Sequence, residues 1–113
     1  MALKPESVAA TATSGAIALT APENSSSRIR VLYVQAHFVG AHASENFTIT
    51  KNDGTGATYD TVLYSLNLST DSTTDLYWEP TTDLKIEEGD AIDVAFANTN
   101  NRTYGVKIVF EYI

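Results

Sequence analysis

Towards the end of the chain Ile92, Val94 and Phe96 alternate with Asp93, Ala95 and Ala97, and Val106, Ile108, Phe110 and Tyr112 alternate with Lys107, Val109, Glu111 and Ile113. Such period-two spacing puts one set of side chains on a core face and the other outside, so residues 90–113 are expected to form two strands. The polar run Asn98-Thr99-Asn100-Asn101-Arg102 between them reads as the turn of a closing hairpin. The last strand is expected to be paired inside the fold, because a free strand edge invites aggregation.

The same reading extends upstream. Asn46 to Lys51 alternates with Phe47 and Ile49 inward, and Asn52-Asp53-Gly54-Thr55-Gly56 supplies residue types that tolerate the positive φ of tight turns. A hairpin is expected there, with a return strand from about Ala57 to Leu68 that carries Val62, Tyr64, Leu66 and Leu68 on one face. Between Arg28 and Phe38 apolar residues occupy both phases: Ile29, Val31 and Tyr33 in one, Leu32, Val34, Ala36 and Phe38 in the other. Either a bulge shifts the register partway or both faces are covered. Shorter strands are expected at 16–20, 74–78 and 84–86, bounded by the turn clusters Ala21 to Ser27, Glu79-Pro80 and Glu87-Glu88-Gly89-Asp90. Residues 1–13, rich in Ala, Ser and Thr, form an extended N-terminal arm or edge strand ahead of a single domain at 14–113. About eight strands without helical periodicity predict an all-β, antiparallel β-sandwich, with a jelly roll as the favoured topology.

A chain of 113 residues is long enough for one core, and without cysteine it must hold that core by packing alone. Fourteen acidic against seven basic residues give a net charge of -7, which disfavours nucleic acid and anionic membranes as partners. The start has no apolar run of signal-peptide length and no stretch approaches a membrane span, so a soluble protein not exported by the standard route is expected.

Catalytic chemistry finds little to work with. His37 and His42, five apart, would sit on opposite faces of a regular strand without a nearby carboxylate shell, and read as surface or loop histidines. No serine lies in a nucleophile elbow. The segment Lys51 to Asp60 lacks the spaced carboxylates of a calcium loop and is explained as a hairpin, and Glu87, Glu88 and Asp90 read as a solvated turn. The Asn-x-Ser/Thr sequons at Asn24, Asn46, Asn67 and Asn101 follow from a chain rich in those residues. No catalytic residue, metal or cofactor is therefore assigned, and the protein is read as not an enzyme. Tyrosines are numerous. Tyr64 and Tyr112 fall on core phases, whereas Tyr59, Tyr77 and Trp78 lie beside turns and are the candidates for an interface or a glycan platform.

The run Tyr59-Asp60-Thr61-Val62-Leu63-Tyr64-Ser65, followed by Asp75-Leu76-Tyr77-Trp78-Glu79-Pro80, Glu88-Gly89-Asp90 and Ala97 to Gly105, resembles small jelly-roll virion structural proteins of tailed bacteriophages. The likeness spans about residues 28–113 and is carried by strand and turn signatures. It implies a capsid decoration or cement protein, or a head-tail accessory part, that binds the major capsid protein or another virion protein. It also implies a homo-oligomer, a trimer at local threefold positions, located on the virion surface after synthesis in the host cytoplasm. The alternative expectation is a carbohydrate-binding or receptor-binding module. An extended arm with small side chains can add itself to a neighbouring sheet edge, so Leu3, Val8, Ala9 and Ala10 are its expected contacts.

Overall fold

The computed structural model describes residues 5–22, 26–54, 56–70 and 73–113. Among these residues nine strands follow one another: β1 (Pro5–Ala12), β2 (Ile17–Ala21), β3 (Ile29–Phe38), β4 (Asn46–Asn52), β5 (Thr61–Asn67), β6 (Asp75–Trp78), β7 (Leu84–Ile86), β8 (Ala91–Phe96) and β9 (Tyr104–Tyr112), with one 3₁₀ turn at Ala57–Tyr59. All pairings are antiparallel and build two sheets, ordered β1-β9-β3-β6 with β7 also on β3, and β2-β8-β4-β5. They pack face to face as the expected all-β sandwich. β6 and β7 pair successive parts of β3, Val34 to His37 and then Ile29 to Val31, so they form one edge strand interrupted by residues 79–83. Pro80 in that interruption has no N–H to give a ladder.

The conflict of phase in β3 resolves as a bulge. Its register against β9 shifts between Val31 and Tyr33, leaving Leu32 extra, so that Ile29 and Val31 point inward before the shift and Val34, Ala36 and Phe38 after it. A second shift, between Ile49 and Thr50 against β5, corrects the one-face reading of that strand. Tyr64 and Leu66 oppose the inward Ile49 and Phe47, but Val62 opposes Thr50 and is 59% exposed. One inserted residue reverses every side chain beyond it.

The terminal pair is also corrected: β8 and β9 do not form a hairpin but belong to different sheets. Period-two spacing tells which face of a strand is buried, not which strand it pairs with, and here the two buried faces look at each other across the sandwich. Residues 97–103 make the crossing. Asn98, buried and at φ 51°, donates from Nδ2 to the carbonyls of Gly15 (2.8 Å) and Arg102 (3.0 Å) and accepts from the Arg102 N–H (3.1 Å). Asn tolerates the left-handed region better than other side chains, and these bonds satisfy backbone groups that no ladder reaches. Glu45 caps the same loop, accepting from the Thr99 N–H (2.6 Å) and hydroxyl (2.7 Å).

β9 is paired on both sides, by β1 and β3. The segment expected as an arm or edge strand is β1, which covers one edge of β9 from Pro5 opposite Glu111 to Ala12 opposite Tyr104. Between the sheets lie Phe38, Phe47, Phe96 and Phe110 with a shell of Ile, Val and Leu. Phe38 meets Phe96 at 5.5 Å and Phe47 at 6.3 Å, both edge-on, the arrangement that aromatic quadrupoles favour. Tyr112 lies on the core phase against Phe110, yet it sits at the end of β9 and is 41% exposed.

Candidate functional site

The bulge at Leu32 decides what the outer face of the five-stranded sheet presents. Beyond it Tyr33, Gln35 and His37 turn outward, and the registers align them in rows across four strands. One row runs Ala9, Lys107, Gln35, Tyr77 and the next Thr11, Gly105, His37, Asp75. Gly105 on β9 and Ala9 and Thr11 on the edge strand β1 have little or no side chain, so that side of the face is low, and Tyr77 on β6 walls the opposite side. The resulting groove has a volume of about 520 Å³, within the range of small-molecule sites.

Tyr77 is exposed but not loose. Its ring stacks on Tyr33 at 5.2 Å and 30°, and its hydroxyl donates to Glu79 Oε2 at 3.4 Å. Loss of hydration raises its pKa above 10.0, and the negative charge of Glu79 adds to that. Next to Tyr77 on the same side of the sheet, His37 Nδ1 lies 2.6 Å from Asp75 Oδ1. This hydrogen bond holds the Asp75 carboxyl below its ordinary 3.8, so Asp75 is an acceptor and the Nδ1 proton is on the imidazole. Both side chains remain largely exposed. Lys107 is half-buried and has no ion pair among the described residues. The groove thus offers an aromatic face, an anionic acceptor, a cationic donor and, in Gln35, an amide that does both.

The candidates read from the sequence are dispersed. Tyr77 and Ala9 share the groove row. Trp78, opposite Val34, lies on the inward phase and packs across the sandwich against Tyr64 at 6.3 Å. Tyr59, 72% exposed, sits in the 3₁₀ turn between β4 and β5 of the other sheet. Val8 is buried and Ala10 packs against the core, while Leu3 lies outside the described residues. Tyr33, Gln35, His37, Asp75, Gly105 and Lys107 were not singled out as site residues. The phase change before Tyr33 was a signal for the residues of β3, whereas Gly105 read as the end of a turn and only the structure places it inside β9, where a glycine often marks close approach by a ligand or another backbone.

Elsewhere the polar clusters are occupied. In the β4–β5 connection Asp60 Oδ1 accepts from the Asp53 N–H (2.8 Å), and Asp90 Oδ1 of the neighbouring turn accepts from the Gly54 N–H (3.3 Å). A side chain at Gly54 would collide with the Gly89 carbonyl, so these two loops meet backbone to backbone. Glu87 takes both hydrogen bonds from Arg28, at 2.6 and 3.2 Å. His42 lies edge-on to Phe38 and Phe96, with Nε2 donating to the Thr73 carbonyl at 2.8 Å and Nδ1 unpaired. Among the described residues no three His, Asp or Glu side chains are grouped to hold a metal ion. Compared with known proteins, the chain matches no family model and no curated protein.

Proposed function

We propose that this chain is a non-enzymatic structural protein of a tailed-phage virion, a jelly roll that decorates or cements the head through the major capsid protein and assembles as a homotrimer. The observation that carries the reading is the strand order. Taking β6 and β7 as one interrupted edge strand leaves eight strands in two layers of four, with β1 beside β9 and β2 beside β8. Pairing of early strands with late ones is what two nested Greek keys produce, and double-sheet jelly rolls of this kind serve in viral capsids and lectins. It converges with the resemblance of residues 28–113 to phage virion proteins. The outer face of the five-stranded sheet and the interrupted β6–β7 edge supply contact surface without disturbing the core.

Purified protein should sediment with heads that lack it and raise their melting temperature, and light scattering of the free protein should give the mass of a trimer. Failure to bind heads, at concentrations well above micromolar, would remove the cementing role. A monomer in solution would remove the preassembled trimer alone.

A further inference from the structure

We infer that the groove on the outer face of the five-stranded sheet is a binding site for a neutral saccharide, with a pyranose ring seated on Tyr77. This goes beyond a structural role in a virion and does not depend on it.

Gly105 is the first reason. A glycine inside a strand gives up packing and costs conformational entropy relative to alanine. Nothing within the fold requires it: its φ is not positive, and a Cβ there would meet only Thr11 Cγ2 at an ordinary 3.7 Å. By contrast, Gly54 is held by a backbone contact and Gly15, Gly40, Gly56 and Gly89 by positive φ. What a side chain at 105 would intrude on is the groove itself, where the missing atoms leave room for a ligand to reach the sheet.

The second reason is the balance of chemistry around that floor. Tyr77 is fixed by Tyr33 behind it, so an apolar sugar face can stack on it without ordering a free side chain. Asp75 accepts, Lys107 donates and Gln35 does both, while His37 orients the carboxylate. Charge selects the ligand. Lys107 and Asp75 stand diagonally apart on β9 and β6, so a ligand that spans the groove meets one charge of each sign. Hydroxyl groups, each both donor and acceptor, satisfy the two together. Strand spacing sets the size: Lys107 and Tyr77 are two strands apart, about 10 Å, and the rows lie about 7 Å apart along the strands, a footprint for a short oligosaccharide.

The experiment is a panel of immobilised neutral oligosaccharides, with uronate-bearing, sialylated and peptide arms, followed by titration calorimetry on any hit. Gly105→Leu, which fills the floor, and Tyr77→Ala, which removes the platform, are compared with Tyr59→Ala on the other sheet. Circular dichroism and thermal melting confirm that each variant is folded. At least one neutral saccharide should bind, with amide shifts at Gln35, His37 and Lys107 in NMR titration, and affinity should fall by at least about tenfold in the first two variants but not the third. No neutral saccharide bound at about 10 mM, binding confined to the charged or peptide arms, or affinity unchanged by Gly105→Leu would overturn the inference. Head binding retained in Gly105→Leu while saccharide binding is lost would separate this site from the cementing role.

Discussion

Asn98 does more for the fold than its polarity foretells. It is 1% exposed, holds a left-handed backbone and ties Gly15, Arg102 and its own turn through one amide. Each net hydrogen bond contributes about 1 kcal/mol, and Asn98 makes three with its side chain, so Asn98→Ala should destabilise the protein by about 2–4 kcal/mol. Asn98→Gly, which relieves the positive φ, should lose less. Urea denaturation checks this as a lower midpoint at unchanged slope. Equal stability of all three proteins would mean that the crossing between sheets is held by the apolar contacts alone. Neighbouring Asn101 has a similar φ of 52° but is exposed, and its Oδ1 accepts one long hydrogen bond, from the Gly15 N–H at 3.4 Å.

Among the elements, β3 shows what the sequence could and could not convey. Apolar residues in both phases announced either a bulge or a strand covered on both faces, and Tyr33, Gln35 and His37 on the open side choose the bulge. In β5 the insertion near Leu63 left no such mark, because an edge strand with half-buried residues in both phases reads as regular alternation. The alternation of β8 and β9 was legible and their separation into two sheets was not, since spacing within a strand carries no record of its partner. For the same reason the groove was hidden: its rows draw one residue each from β1, β9, β3 and β6, far apart in the chain. Sheet edges are pinned by charge, and there acid is the informative variable. Arg28 holds Glu87 below its ordinary 4.5, and Arg30 holds Asp83 below 3.8, in each case chiefly by a side-chain hydrogen bond, which with a smaller help from charge outweighs the opposing loss of hydration. A depressed folded-state pKa gives stability that is present above the unfolded value and is lost as the pH falls through the folded one. The stability gap between the wild type and Arg28→Gln should therefore be small but measurable near pH 7, and should close as the pH falls below about 4.5. A gap that persists unchanged to about pH 2 would assign the effect to packing of the arginine stem instead.

At the scale of the molecule, the sandwich keeps its stabilising core apart from the groove. The core between the sheets is apolar and aromatic, and it needs neither disulfide nor metal to explain it. The outer face of one sheet carries the groove, and the loops and interrupted edge carry polar and charged groups. A net charge of -7 keeps such a domain apart from other acidic surfaces until a shaped interface holds it. The cementing role proposed for this domain is tested most directly by locating it in an electron cryomicroscopy reconstruction of the assembled particle. Three copies of the sandwich should appear around local threefold positions on the head surface, in contact with the major capsid protein. Density for it only in the tail, or none in the particle, would contradict a cementing role on the head.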